Sequence, residues 1–173
     1  YISNHITCWS QENLILGQLP RRITVGFVRT DAIHGVYNLN PFCFHHFGIN
    51  FFSLYINGKQ VPSRALQPTF EGRNRDYVRT YMQMASALGH AFSNQDCGVS
   101  YDDFRGGTCL FSFNLNSDMT EGDHTEVTRR GSVRLEVRFD QALANPITCL
   151  VVSEYDNLIT IDKERNVSLD YLV

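Results

Sequence analysis

The sequence predicts an all-β fold, an antiparallel β-sandwich of jelly-roll type with one short helix in a long crossover loop. Three observations lead there. Twelve Phe and eight Tyr stand against one Trp, a usage that suits pleated sheets better than helix bundles. Short apolar runs alternate with polar residues at a period of two. Gly, Asn, Asp and Pro punctuate those runs at short intervals, as turns between strands require. A chain of 173 residues with 43% hydrophobic residues can bury about 70% of its unfolded surface around a single core. No linker or internal repeat divides it, so residues 1–173 read as a single domain.

The elements follow in chain order. In "RRITVGFV" Ile23, Val25 and Phe27 fall on one face of a strand, because successive side chains point to opposite sides of a sheet. The stretch from Asn40 to Pro62, "NPFCFHHFGINFFSLYINGKQVP", holds five phenylalanines and contains Asn57-Gly58, a hairpin signal. Helical periodicity appears in "RDYVRTYMQMASALG", with Tyr77, Tyr81, Met84 and Leu88 on one face. Asn74 or Asp76 would cap its start and Gly89 its end. This helix lies within an excursion from Arg64 to Arg105. "TCLFSFNL" then places Cys109, Phe111, Phe113 and Leu115 inward. "GSVRLEVRF" carries the clearest alternation, with Val133, Leu135, Val137 and Phe139 inward and Ser132, Arg134, Glu136 and Arg138 wet. "ITCLVVSEY" is apolar on both faces over its first half, as expected of a central strand covered on each side. "NLITIDKERNVSLDY" reads as two short strands around a turn from Asp162 to Asn166.

Charge and cysteine usage remove several functions. A net charge of -3, from 15 basic and 18 acidic residues, gives no overall attraction to nucleic acid. The pairs Arg21-Arg22 and Arg129-Arg130 read as solvated strand ends. No apolar run approaches the roughly 20 residues of a membrane-spanning helix, and no signal peptide opens the chain, so the protein is expected to be soluble. Because the chain starts at Tyr1 without a methionine, it is expected to be part of something longer. Cys8, Cys43, Cys97, Cys109 and Cys149 are odd in number and scattered, which fits free thiols in a reducing compartment. Asn166-Val167-Ser168 matches the glycosylation triplet, with nothing beside it to indicate secretion.

No catalytic residue, cofactor or metal is expected. On an extended segment His45 and His46 project to opposite faces and cannot share one ion. A cupin-type site would use His-x-His, and that spacing is absent. His124-x-Glu126 has the parity of half an iron triad, but no histidine follows His124. There is no G-x-S-x-G elbow and no phosphate loop; "FRGG" at Phe104–Gly107 lacks the spacing and the lysine. Asp102 and Asp103 read as solvated loop acids. What remains is apolar surface: Phe42, Phe44, Phe47, Phe51 and Phe52 exceed the needs of one face of one strand. Either the sheet is covered on both sides within the domain or part of it meets another subunit. The same choice applies to the helix, where Tyr77 and Tyr81 stand among Arg73, Arg75 and Arg79. Phe51, Tyr77, Arg79 and Tyr81 are the candidate subunit-interface residues.

The ordered series "RRITVGFVRTDAIHGVYNLNPFCFHHFGINFFSLYINGKQVPSRALQPTF", "YVRTYM", "LFSFNLNSD", "GSVRLEVRFDQAL" and "SEYDNLITIDKERNV" resembles the major capsid protein of Polinton (Maverick) elements and adintoviruses. The likeness runs from about Arg21 to Tyr171. It implies one half of a double jelly-roll capsid protein, resembling its C-terminal sandwich, since each sandwich takes about 150 to 200 residues. It further implies a structural, non-enzymatic role: homotrimeric, pseudo-hexameric capsomers that join other capsid proteins in a shell. No specific nucleic acid and no membrane is implied as partner. The location implied is the virion, reached from a reducing cytoplasm or nucleus. The alternative from another class is a trimeric jelly-roll receptor-binding or cytokine-like module.

Overall fold

The computed structural model describes residues 1–90, 94, 97–116, 129–157 and 159–169. Among the described residues strand outweighs helix, 45% to 13%, and the architecture is that of an antiparallel β-sandwich. Nine strands and three short helices run in the order β1 (Cys8–Gln18), β2 (Arg22–Arg29), α1 (Thr30–Ile33), β3 (Ile49–Ile56), β4 (Lys59–Leu66), α2 (Val78–Ala87), α3 (Tyr101–Gly106), β5 (Leu110–Asn114), β6 (Arg130–Phe139), β7 (Ile147–Glu154), β8 (Ile159–Ile161) and β9 (Val167–Leu169) among the described residues. Strands β1-β6-β3-β4 form one sheet, β5-β2-β7 a second, and β8-β9 a separate ribbon.

The pairings are nested. At the centre, β3 and β4 form a hairpin at Asn57-Gly58, whose φ of 49° and 80° are those of the tight turn that matches strand twist. Around it β2 pairs with β5, and around both β1 pairs with β6. The successive pairs fall alternately in the two sheets, and β6 also pairs with β3 to join the outer pair to the inner one.

Alternation builds the core as expected. Ile23, Val25 and Phe27 are fully buried, as are Cys109, Phe111 and Phe113, and Val133, Leu135 and Val137. The two layers meet through aromatic rings: Phe52 of β3 stacks on Phe111 of β5 at 4.2 Å and lies 5.5 Å from Phe113, with Phe27 edge-on at 6.4 Å. Each such ring removes enough apolar surface from water to contribute about 1.5–3 kcal/mol.

Several expectations need correction. Among the described residues there are three helices rather than one. The segment before Gly107 forms α3 because Ser100 Oγ accepts the Asp103 N–H at 3.1 Å, a Ser-x-x-Asp cap. Neither Asn74 nor Asp76 caps α2: Tyr77 holds the N-cap position without a side-chain bond. The Asp76 backbone is instead committed to a two-way bridge with Thr69, at 2.8 and 2.9 Å. Gly89 does end the helix, at a φ of 77°. Strand β7 is an edge strand rather than a central one, and its second apolar face is not covered, since Leu150 and Val152 are exposed. Glu136, expected on the wet face, is only 9% exposed, because the carboxylate lies between Arg138 at 2.8 Å and Arg134 at 3.3 Å.

The segment 40–48 is also not a regular strand. It makes one isolated bridge, Phe44 with Thr108. The Phe44 ring lies over Gly26 of β2, where a Cβ would stand 2.8 Å from Phe44 Cδ1. Gly26 is therefore required for the chain to cross here.

Candidate functional site

The four residues expected at a subunit contact do not form one surface. Tyr77 is 4% exposed, stacked on Tyr101 at 4.2 Å and on Phe70 at 5.3 Å. Tyr81 donates its hydroxyl to the Val99 carbonyl at 2.9 Å and meets Tyr101 and Phe104 edge-on. Both tyrosines thus hold α2 to α3 inside the domain, and Tyr77 leaves almost nothing for a partner. Arg79 is exposed but donates to the carbonyls of Ala65 and Arg64 at the end of β4. Phe51 sits on the outer face of the four-stranded sheet, with the Arg138 guanidinium 4.6 Å above its ring.

That outer face is a ladder of paired chemistry. Phe51 lies opposite Arg138, Ser53 opposite Glu136, and Tyr55 opposite Arg134. Arg134 stacks on Tyr55 at 5.0 Å and approaches Glu12 of β1 at 2.7 Å. Cation–π contacts of this kind contribute about 0.5–1 kcal/mol at exposed sites.

The three-stranded sheet has a different outer face. Val25 opposes Val151 and points inward, so Thr24 and Gly26 oppose Val152 and Leu150 on the outer side. Val152 is 68% exposed and Leu150 is exposed beside it. Beyond β7 the β8-β9 ribbon carries Ile159, Ile161 and Val167, all exposed, with Ile161 directly opposite Val167. The loop after α1 also carries exposed apolar side chains: Val36, Tyr37 and Phe42, the last 78% exposed. The surplus of phenylalanine is therefore divided: Phe52 is core, Phe44 covers Gly26, and Phe42 faces solvent. The exposure of Leu150 and Val152 has a signal in the two-faced apolarity of "ITCLVVSEY", which fits burial on both sides equally well; the alternation of Ile159, Ile161 and Val167 marks strands but not their exposure.

His45 and His46 do face apart. His46 stacks on Phe70 at 4.3 Å, accepts the Gly48 N–H at Nδ1 at 3.0 Å, and sets Nε2 3.5 Å from Glu71. Burial pushes its pKa below the ordinary 6.5, outweighing the upward pull of Glu71. Arg105 in turn binds Glu71 at 3.1 Å and the Phe70 carbonyl at 3.0 Å, so this cluster ties α3 to the loop after β4. His45 instead points toward Cys43, with Nε2 3.2 Å from Sγ. Cys43 and His45 share a face because they are two residues apart, the same parity that separates His45 from His46.

Among the described residues no three His, Cys, Asp or Glu side chains come close enough to hold a metal ion. His124 and Glu126 lie outside the described residues. All five cysteines are unbridged. Burial pushes the Cys149 thiol up to about 12 and the Cys109 thiol higher still. Asp102 and Asp103 are exposed in the first turn of α3. Arg21 and Arg22 pair with Asp156 and Glu154 at 3.4 and 3.2 Å. Among the described residues no helix is long and apolar enough to cross a membrane.

No family model and no solved structure matches the chain. It is similar to the uncharacterized protein F54H12.2 of Caenorhabditis elegans, 28% identical over 163 residues, which cover 92% of this chain and 38% of that protein. The chain thus spans well under half the length of the curated relative it matches.

Proposed function

We propose that this chain is a jelly-roll building block of a protein shell, one half of a capsid-type subunit that associates as trimers, with no catalytic role. The observation that carries the reading is the nesting of β3–β4 within β2–β5 within β1–β6, divided alternately between two sheets. Rolling one long hairpin into a sandwich produces that order, and the jelly roll is the architecture in which it recurs. The order β1-β6-β3-β4 of the four-stranded sheet is the one such rolling would give, and it supports the reading. Beside the second sheet, α2 of the excursion between β4 and β5 packs on β5.

Two further observations support a structural part. Exposed apolar groups on β7 and on the β8-β9 ribbon continue one another along the chain, and a two-stranded ribbon has little stability alone in water. A second copy that covered them would serve both. The similarity to a protein more than twice as long is compatible with a parent holding a second sandwich. The unbridged cysteines favour the shell reading over the secreted binding module.

Sedimentation velocity with negative-stain electron microscopy tests it, on this chain and on the full-length protein that carries it. Trimers and closed or sheet-like assemblies of the full-length protein are expected. If both proteins stay monomeric at up to about 100 µM, well above the micromolar dissociation constants of modest interfaces, the proposal fails.

A further inference from the structure

We infer that Cys43 and His45 form a nucleophile–base pair that makes Cys43 a site of covalent modification by small disulfides. The pair is built rather than incidental. Phe44 between them is fixed on both sides, its N–H donating to the Gly107 carbonyl at 2.7 Å and its carbonyl accepting the Cys109 N–H at 3.0 Å. The Cys43 N–H donates to Asn40 O at 3.2 Å and the His45 N–H to Phe27 O at 3.1 Å. With three consecutive residues held, the i and i+2 side chains stay on one face and Sγ remains 3.2 Å from Nε2.

The surroundings admit a reactant. Cys43 is partly exposed and His45 is exposed, and the two line an open cavity of about 210 Å³ with Arg29, Ala32 and Leu39. Gly107 gives the sulfur its room, since a Cβ there would stand 2.9 Å from Cys43 Sγ. The other thiols lack this arrangement. Cys109 is buried, Cys149 is half-buried on β7, and Cys97 lies 3.4 Å from the Val99 carbonyl. Cys8 is exposed but has no imidazole partner among the described residues. No third metal-ligand side chain joins Cys43 and His45 among the described residues, so nucleophile and base is the chemistry the pair supports.

The step is thiol–disulfide exchange. The thiol proton passes from Sγ to His45 Nε2 as Sγ attacks one sulfur of a small disulfide. The disulfide S–S bond breaks and a new one forms to Cys43. The departing thiolate takes the proton back from the imidazolium and leaves as a free thiol. The Cys43 sulfur is oxidised and the departing sulfur reduced, with the small disulfide as the oxidant.

Oxidised glutathione is the probe, with adducts assigned to each cysteine by peptide mass spectrometry in the native protein. Exposure alone ranks Cys8 first. Base assistance ranks Cys43 first, by about tenfold or more, since a thiolate rather than a thiol attacks. His45→Gln, which keeps the backbone bonds and removes the base, is expected to slow Cys43 at least fivefold and leave Cys8 unchanged; the melting temperature confirms folding. Cys43→Ser should abolish the fastest adduct. Labelling of Cys8 ahead of Cys43, or an unchanged Cys43 rate in folded His45→Gln, overturns the inference.

Discussion

The two sheets share a core but differ on their outer faces. On the four-stranded sheet, outward positions of β6 alternate Arg134, Glu136 and Arg138, and β3 answers with Tyr55, Ser53 and Phe51. Charges and rings find partners there, and Glu136 is nearly covered by its two arginines. On the three-stranded sheet, outward positions of β7 hold Leu150 and Val152, which nothing in the described chain covers to the same degree. Period-two alternation decides which side chains enter the core on both sheets. It does not decide whether the other face is finished. That depends on whether outward residues bring partners for one another, as charged and aromatic groups do, or only apolar surface, which lowers its free energy by meeting another surface.

The largest contrast lies within one strand. Leu135→Asp places a charge on the inward face of β6, where Leu135 is fully buried and opposes Leu54. A cost of about 4 kcal/mol or more is expected, a large part of the ~5–15 kcal/mol that holds a typical domain. Circular dichroism of the soluble fraction should find no folded protein. Arg134→Ala, one residue away on the outer face, should cost about 1 kcal/mol or less in a urea titration. Equal solubility of the two variants would overturn the assignment of faces.

A smaller effect separates the two histidines. His46 is held neutral in the fold by burial, and its Nδ1 must stay unprotonated to accept the Gly48 N–H. A lowered folded pKa means that the unfolded chain takes up the proton first as pH falls. The stability contributed by this group is therefore complete above the ordinary 6.5 and is lost as pH drops through the folded value. His46→Asn retains an acceptor for Gly48 without titrating in this range. The decline in melting temperature between about pH 7 and pH 5 should be steeper in the wild type than in His46→Asn. Parallel slopes would remove His46 from the account of acid sensitivity.

The sequence made some parts of the molecule legible and hid others for physical reasons. Strands β2, β5 and β6 could be read because each buries one face, which writes alternation into consecutive residues. The Asn57-Gly58 turn could be read because few residues adopt two positive φ angles in succession. Strand β7 misled because apolarity on both faces has two causes, burial within the domain and exposure awaiting a partner, and residue type does not separate them. The 40–48 segment misled for another reason: its phenylalanines answer to distant groups, Phe44 to Gly26, which local spacing does not encode. Tyr77 and Tyr81 were correctly placed on one helical face, but only the packing of α3 shows that this face closes inside the domain. The Cys43-x-His45 pair was within reach of the parity rule applied to His45 and His46, had the cysteine been included.

The finest test compares charge on the two outer faces. Val152→Glu adds a carboxylate to an exposed position of β7, near Arg22 and Thr24 of the neighbouring strand. No core contact is lost, so monomer stability should change by about 0.5 kcal/mol or less in urea. If β7 and the ribbon form the surface that a second copy covers, the same charge must be desolvated on association, and sedimentation velocity should show assembly weakened at least tenfold, about 1.4 kcal/mol. On the finished face, Arg138→Gln removes a charge that already has Glu136 and Phe51 as partners, and assembly should be unaffected. Equal effects of the two variants on assembly would mean that the outer faces do not differ in the way their chemistry indicates.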